Sequence, residues 1–225
     1  MPSSSTLRPQ DESARDLSRR LAEEVVAPAA READATRTFP RAAVDALAAA
    51  GILGAPVPTE LGGLGWDAMQ LALMYEEIGC VDQSVRGFLA VHLGLVSQCL
   101  MEFGSAVQRR EWVPRLASGE VYGAYALTES GAGSDAGALA TVAEPYAEEW
   151  RRRGEKIWIT NGLSAGVFIV FATVDPAQRH KGVTAFLVPG DAPGLVRERM
   201  HGIELGHRSS EHARLRFEGV RVRPE

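Results

Sequence analysis

The sequence predicts an α+β protein in which an N-terminal all-α helical domain is followed by an antiparallel β-barrel domain. Residues 11–117 are rich in Ala, Leu, Glu and Arg, and their apolar side chains recur at helical spacing, as at Leu89, Leu93 and Val96. After Gly119 the pattern changes to short β-type runs separated by turn residues, with no helix between them. Strands without intervening helices are typical of an antiparallel barrel or sandwich.

Prolines, glycines and helix-capping aspartates divide the helical half into separate predicted helices. Pro28 and Pro40 break or start helices, residues 62–65 form a glycine-rich loop, and Asp67 and Asp82 are suited to cap helix N-termini. The predicted helices cover residues 11–33, 40–50, 67–79, 82–103 and 105–117. The predicted domains are a disordered tail at 1–10, the helical domain at 11–119 and the β-barrel domain at 120–225.

The second half contains six predicted strands. A period of two, as in the alternating arginine and apolar residues of 214–217, indicates a strand with one face in solvent. The predicted strands are Val121–Leu127, Leu139–Glu144, Glu155–Thr160, Val167–Val174, Val183–Val188 and Ala213–Phe217.

Composition excludes several classes of protein. The 225 residues are 45% hydrophobic and 24% charged, which is ordinary for a globular chain and excludes a disordered one. A net charge of -5 offers no global electrostatic basis for binding nucleic acid. Two cysteines, Cys80 and Cys99, exclude a disulfide framework. Because the N-terminus has no apolar signal region and no apolar run reaches about 18 residues, we expect a cytoplasmic protein without a membrane span.

A glycine-rich segment, Gly131–Ala136, follows the first predicted strand and matches a dinucleotide-binding fingerprint. That fingerprint needs a helix directly after the glycines, whereas residues 137–145 contain β-branched residues and a proline. The sequence therefore disfavours a Rossmann unit. The loop still permits a ligand to approach closely, since glycines lack side chains and Ser134 supplies a hydroxyl. A plain turn is the alternative.

Two further patterns resemble functional motifs, but each lacks a feature that the motif requires. Gly162–Gly166 matches the G-x-S-x-G nucleophile elbow, but the turn leads into a strand and not into the helix that an elbow requires. His201, His207 and His212 lie close together, yet their spacing matches no zinc pattern and no cysteine or paired acid lies among them. We therefore predict neither a serine hydrolase nor a metal site.

The segment Lys156–Gly162 combines a tryptophan with a nearby hydroxyl. Trp158 and Thr160 are two residues apart on a predicted strand, so they are expected to share one face. Such a face would present an aromatic plane beside a hydroxyl to a flat ligand. Packing of Trp158 in the core is the alternative.

Together these segments resemble the acyl-CoA dehydrogenase family of flavoenzymes. The resemblance lies in Tyr125–Asp135, in Lys156–Gly162, and in Gly182–Val188 followed by Phe217–Val222. The helical half, including Pro58–Gly65, also fits. Several motifs in the expected order argue against a chance match.

The resemblance implies a middle barrel domain that holds FAD against one face. Tyr125, Leu127 and Thr128, which precede the glycine loop, would line the pyrimidine and ribityl region of the flavin. Trp158 and Thr160 would flank the ring system, with Thr160 near N5. Ser134 would contact FAD or the pantetheine arm of the substrate. Such residues orient the cofactor, which itself takes the hydride. The implied cofactor-binding residues are Tyr125, Leu127, Thr128, Gly133, Ser134, Trp158, Ile159 and Thr160.

One departure from the family concerns its third domain, a C-terminal helical bundle that carries the glutamate removing the α-proton. The sequence stops at Glu225, where that bundle is expected to begin. We therefore expect the C-terminal bundle to be absent, no catalytic residue in this chain, and little activity from the chain alone. The implied function is a truncated or split flavin-dependent oxidoreductase of acyl thioesters. The alternative is a non-catalytic FAD-binding or assembly subunit that partners a complete acyl-CoA dehydrogenase.

The implied partners are an acyl thioester of CoA or of an acyl carrier protein, an electron-transfer acceptor, and other subunits of a homo- or hetero-oligomer. Ser84–His92 and Arg109–Pro114 are also similar to dehydrogenases of methoxymalonyl-type pathways, which act on carrier-protein thioesters. Arginines between Arg197 and Arg223 predict a basic rim that would attract an acidic carrier protein.

Overall fold

A computed structural model describes residues 7–200 and 205–222, and it has a helical part followed by a curled β-sheet. Two π-helical segments, Ala22–Val26 and Ala90–Ser97, join neighbouring α-helices into longer continuous runs. All five predicted helical regions are therefore present, two of them with a π segment inside. The α-helices are α1 Pro9–Leu21, α2 Ala27–Thr36, α3 Arg41–Ala49, α4 Ala68–Val81, α5 Gln83–Leu89, α6 Gln98–Phe103 and α7 Ala106–Ala117.

Helix α1 begins at Pro9, inside the segment for which the sequence predicts a disordered tail. The Asp11 carboxylate accepts hydrogen bonds from the Arg8 backbone N–H (3.0 Å) and from Arg8 Nε (2.8 Å), and proline is preorganised for a first helical position. The first helix therefore begins at Pro9, two residues before the predicted start at residue 11. Residues 1–6 lie outside the described residues.

Pro28 does not break the first helical run. A proline in a helix lacks the N–H for the bond to the fourth residue back, and its ring crowds that carbonyl. Immediately before it, the Ala27 amide donates to the Ala22 carbonyl, five residues back, which is the π pattern. This wider turn accommodates the proline, so the run continues to Thr36.

Within the described residues the sheet has seven strands, one more than predicted. The strand that the sequence did not indicate, Leu195–Arg199, is half-buried along its whole length. Without alternation between buried and exposed residues it lacks the period-two signal. The strands are β1 Gly123–Ala126, β2 Val142–Tyr146, β3 Glu149–Ile159, β4 Val167–Thr173, β5 Val183–Pro189, β6 Leu195–Arg199 and β7 Ala213–Val222.

The prediction of a β domain after the helices is confirmed, and the antiparallel direction holds for four of the six strand pairs but not for the two pairs that β4 makes with β1 and β2. The strand order is β1-β4-β2-β3-β7-β6, with β5 paired to β4. Strands β1 and β2 run parallel to β4, and the other pairs are antiparallel. A parallel pair needs a long crossover, which the β2–β3 hairpin supplies between β1 and β4. The result is a mixed sheet curled into a half-barrel.

Strand β4 separates two hydrophobic clusters. Phe168 and Val170 face the interior of the curled sheet, whereas Val167 and Ile169 pack against the helical part. Both faces of β4 are therefore buried, as expected for a central strand with parallel partners. The residues that the helical part contributes to the shared cluster include Val57, which lies in a bend, and Val96, Leu100, Trp112, Val113 and Leu116.

On length and composition alone, the helical run Gln83–Phe103 would pass as a membrane-spanning helix. Half of its most apolar window is buried inside the protein, and its π segment packs against β1. The core helix of a globular domain has the same properties.

Candidate functional site

The glycine loop begins where β1 ends and is closed by a tight turn. The Glu129 amide donates to the Ala132 carbonyl (3.0 Å), and the Ala132 amide donates back to Glu129 (3.2 Å). A Cβ added at Gly131 or Gly133 would meet nothing within 4 Å. The packing of the protein therefore does not require these glycines, and the space beside the loop is open to a ligand.

A buried ion pair lies under this loop. Lys156 Nζ is 2.6 Å from Glu129 Oε1 and also donates to the Leu127 carbonyl (3.0 Å). Burial acts to raise the pKa of Glu129, but hydrogen bonds from Lys156, Thr141 and Ala140 outweigh it, so this pKa lies below its ordinary value. The ion pair was not predicted from the sequence. The available signal was a lysine at a position that strand alternation places in the interior.

Trp158 stands on a β-bulge. The β3–β7 register shifts between Lys156 and Ile159, and Trp158 has a positive φ of 57°. The indole remains 47% exposed, while the Trp158 amide donates to Met200 Sδ (3.1 Å). Simple strand alternation, which predicts a shared face for Trp158 and Thr160, therefore does not apply at this point.

His212 brings Trp158 and Thr160 together. Its ring lies edge-on to the Trp158 ring at 6.2 Å, and its Nδ1 is 3.2 Å from Thr160 Oγ1. From the sequence this histidine was considered only as a metal ligand, and a metal site was not predicted. In the structure it holds the hydroxyl that the resemblance associates with the flavin ring.

The end of β1 lies beside the end of β3. The Ile157 amide donates to the Thr128 carbonyl (2.9 Å), so Leu127 and Thr128 are neighbours of the bulge that carries Trp158. Ser134 lies in the exposed part of the loop. The structure thus places Leu127 and Thr128 beside the bulge that carries Trp158, and it leaves Gly133 and Ser134 exposed in the loop that follows β1.

Two of the predicted residues face elsewhere. The Tyr125 ring packs on Phe171 at 4.9 Å, between the helical part and the sheet, and burial raises the pKa of its hydroxyl. The Ile159 side chain is buried inside the curled sheet, so only its backbone is available to a ligand at this surface. The adjacent Asn161 donates from Nδ2 to the Gly123 carbonyl (3.0 Å) and ties this turn to β1.

Both carboxylates of the loop are already engaged. Glu129 accepts hydrogen bonds from Lys156 and from two backbone amides, and exposed Asp135 pairs with Arg179 at 2.7 Å. Glu129 is therefore not placed as an available proton acceptor, and Asp135 lies in an exposed ion pair. Within residues 7–200 and 205–222, no group of three metal-ligating side chains is assembled, and His201 lies outside those residues.

The arginines of the last strands do not form the predicted basic rim in the part of the chain that the structure describes. Strand pairing and the fold place carboxylates opposite them, and Arg197 is directed at backbone carbonyls. This surface therefore has mixed charge, and Arg223 lies outside the described residues. The ion pairs are Arg199–Glu211, Arg208–Asp34, Arg214–Glu155, Arg216–Glu198 and Arg221–Glu149.

Comparison with known proteins gives consistent matches. The family model for the acyl-CoA dehydrogenase N-terminal domain matches residues 8–120, and that for the acyl-CoA dehydrogenase middle domain matches residues 124–220. The human mitochondrial short-chain specific acyl-CoA dehydrogenase is 40% identical over 206 residues, which cover 91% of this chain and 49% of the relative. The chain thus spans about half the length of the curated relatives that it matches.

Two solved structures illustrate the range of similar proteins. A glutaryl-CoA dehydrogenase from Mycobacterium smegmatis in complex with FADH2 superposes with a TM-score of 0.89 at 29% identity, covering 96% of this chain and 54% of the other. A prolyl acyl carrier protein oxidase superposes with a TM-score of 0.88 at 28% identity, covering 97% and 58%.

Proposed function

Because the chain belongs to the acyl-CoA dehydrogenase family, we propose that it binds FAD beside the glycine loop and acts in the oxidation of an acyl thioester at its α and β carbons. The observation that carries this proposal is the exposed indole of Trp158, held on a β-bulge next to an open glycine loop. A large aromatic side chain held half in solvent is suited to cover a flat ligand.

The chemistry of these side chains supports the proposal of FAD. Trp158 would lie against the ring system, and Thr160, held by His212, would offer its hydroxyl as a hydrogen-bond donor. Gly133 and Ser134 would allow the loop backbone and one hydroxyl to reach the cofactor, because no side chain blocks the approach. When bound, the flavin accepts the hydride from the β carbon.

Removal of the α-proton of the substrate requires a proton acceptor in addition to the cofactor. Glu129 and Asp135 are the carboxylates of the loop, and both are held in ion pairs. We propose that the proton acceptor comes from outside the described residues, either from further polypeptide or from another chain. A positioned base contributes about 10² to 10⁴-fold to such a step.

The proposed substrate class is an acyl thioester of coenzyme A or of an acyl carrier protein. Similar proteins of both kinds exist, and the mixed charge of the β6–β7 surface gives no electrostatic preference for an acidic carrier. An external electron acceptor is also required, because oxidation of the thioester releases two electrons.

Titration of the purified chain with FAD, followed by flavin fluorescence, tests the cofactor site. Trp158→Ala is expected to weaken FAD binding by roughly 1–3 kcal/mol, which is about 5- to 150-fold in Kd, because the ring face loses its aromatic cover. Trp150→Ala is the matched control, since Trp150 lies at the other end of the same strand and packs on Phe186.

No FAD binding by the unsubstituted chain would contradict the proposed function. Equal losses in the Trp150 and Trp158 variants would remove Trp158 from the site and indicate a general effect on folding.

A further inference from the structure

The strongest unexplained feature near this site is the ion pair between Glu129 and Lys156. The Lys156 side chain is fully buried and that of Glu129 is only 7% exposed. Burying two charges costs several kcal/mol per ion unless geometry and further hydrogen bonds compensate. A hydrophobic pair would fill the same space without this cost, so packing alone does not account for the charges.

The hydrogen bonds of the ion pair show which backbone groups its two side chains bind. Lys156 Nζ donates to the Leu127 carbonyl, immediately before the glycine loop. Glu129 Oε2 accepts from the Ala140 amide (2.7 Å) and Oε1 from the Thr141 amide (3.1 Å), immediately after the loop. One ion pair therefore joins both ends of the loop to β3, two residues before Trp158.

Buried Ala132 and Leu139 also anchor the loop, but its other polar restraints between these two residues are weak. The turn at Glu129 and Ala132 closes only its first residues, and the pair between Asp135 and Arg179 is exposed, where ion pairs contribute about 0–1 kcal/mol. Gly131 and Gly133 add conformational freedom. Without the buried pair, the loop would have to be ordered at the moment a ligand binds, and that ordering would weaken affinity.

We propose that the Glu129–Lys156 ion pair is a positioning device that pre-orders the glycine loop and aligns it with the Trp158 bulge for FAD. This inference rests on the proposed function for its ligand, but the ordering of the loop is a property of the chain by itself. Both residues are positioning residues, since their charged groups are occupied by each other and by backbone atoms.

The test compares Glu129→Gln, Lys156→Met and the double variant Glu129→Gln/Lys156→Met. Each single change leaves one charge buried without its partner, which also weakens folding. The double variant has no unpaired buried charge, so its stability is expected to recover toward that of the original chain. The glutamine still lacks a second acceptor for the amides of Ala140 and Thr141, so the loop is expected to stay loose.

The first readout uses FAD as the probe. In the double variant we expect Kd for FAD to stay about tenfold or more above that of the original chain, although the urea midpoint has recovered. Glu198→Gln is the matched control, because it removes the carboxylate of the exposed pair with Arg216 on another part of the sheet. Recovery of FAD affinity together with stability would overturn the proposal and leave the pair a purely structural role.

The second readout needs no ligand. Hydrogen exchange is expected to be about tenfold or more faster for the Ala140 and Thr141 amides in the double variant, with β4 amides unchanged. If the original chain fails to bind FAD, the proposed function fails, while this exchange still decides whether the pair orders the loop. Unchanged exchange at Ala140 and Thr141 would overturn the inference whatever the FAD result.

Discussion

At the scale of single residues, Arg152 is the least satisfied charge in the part of the chain that the structure describes. Its side chain is fully buried inside the curled sheet, with the guanidinium carbon 3.9 Å from the Phe186 ring centroid. Nη1 makes a long contact with the Trp150 carbonyl (3.5 Å), and Nε and Nη2 have no hydrogen-bond partner among the described residues. Burial lowers the pKa of Arg152 to about 10.

Arg152→Met is expected to stabilise the fold by about 1–3 kcal/mol. A methionine of similar length fills the space without burying an unpaired cation, and replacement of such charges by apolar residues is often stabilising. Urea unfolding measures the change, with Arg153→Met as the control, because Arg153 is exposed on the same strand. Loss of stability in Arg152→Met would show that water or an anion satisfies the guanidinium.

At the scale of elements, His92 connects the central helical run to α7 and β1. Its Nε2 lies 3.1 Å from the Leu116 carbonyl, and the Gly123 amide donates to Nδ1 (3.2 Å). Because a carbonyl only accepts, Nε2 bears the hydrogen and the ring is neutral. The π segment contributes to this placement, since Ser97 Oγ donates to the His92 carbonyl five residues back, and the ring stacks on Phe88 at 5.6 Å.

This arrangement predicts acid sensitivity. Burial lowers the pKa of His92 from 6.5 to about 4, so between these values the unfolded chain binds a proton that the folded chain does not. The contribution of His92 to stability is complete above pH 6.5 and is lost as the pH falls toward 4. Between pH 7 and pH 4.5 the loss is on the order of 2–3 kcal/mol.

Urea unfolding of the original chain and of His92→Gln at both pH values checks this. The variant is expected to be less stable at pH 7 and to depend less on pH. Equal pH dependence in both proteins would assign acid sensitivity to other groups.

At the scale of the whole molecule, Arg197 connects separate parts of the curled sheet. From β6, its Nη1 donates to the carbonyls of Leu163 (3.1 Å) and Ala165 (2.9 Å), and its Nη2 to that of Gly190. The guanidinium also lies 4.9 Å from the Phe168 ring centroid, and burial lowers the pKa of Arg197. A single side chain thus links β6 to the turn before β4 and to the end of β5.

Arg197→Lys is expected to destabilise the protein by about 2 kcal/mol, because an ammonium does not reproduce the planar fork that serves three carbonyls. The loss is expected to appear as faster hydrogen exchange in β6 than in β4. Arg199→Lys is the control on the same strand, since Arg199 makes only a long ion pair with Glu211 (3.8 Å). Equal effects of the two changes would contradict a special role of Arg197 in linking the sheet.

Local patterns in the sequence were sufficient for the helices and for most strands. Helical spacing around Leu89 and Leu93, and alternation in β7, depend on neighbouring residues alone, so the helical run was predicted close to its observed bounds and β7 was predicted to start at Ala213, although the strand continues five residues beyond the predicted end at Phe217. The family was also predicted from motifs in the order expected, and the two family models confirm it. The half-buried strand β6 has no such local signal and was missed.

Tertiary structure decided the features that depend on residues far apart in the chain. The parallel direction of β1 against β4 follows from the crossover between them, and the exposure of Trp158 follows from a register shift against β7. The ion pair of Glu129 with Lys156 joins residues 27 positions apart. Sequence spacing reports which face of one element a side chain occupies, whereas the partner that it meets there is set by how the elements pack. Local sequence therefore predicted candidate residues such as Trp158 and Thr160, whereas the contact of Thr160 with His212 and the ion pair of Glu129 with Lys156 arise only from the packing of distant segments.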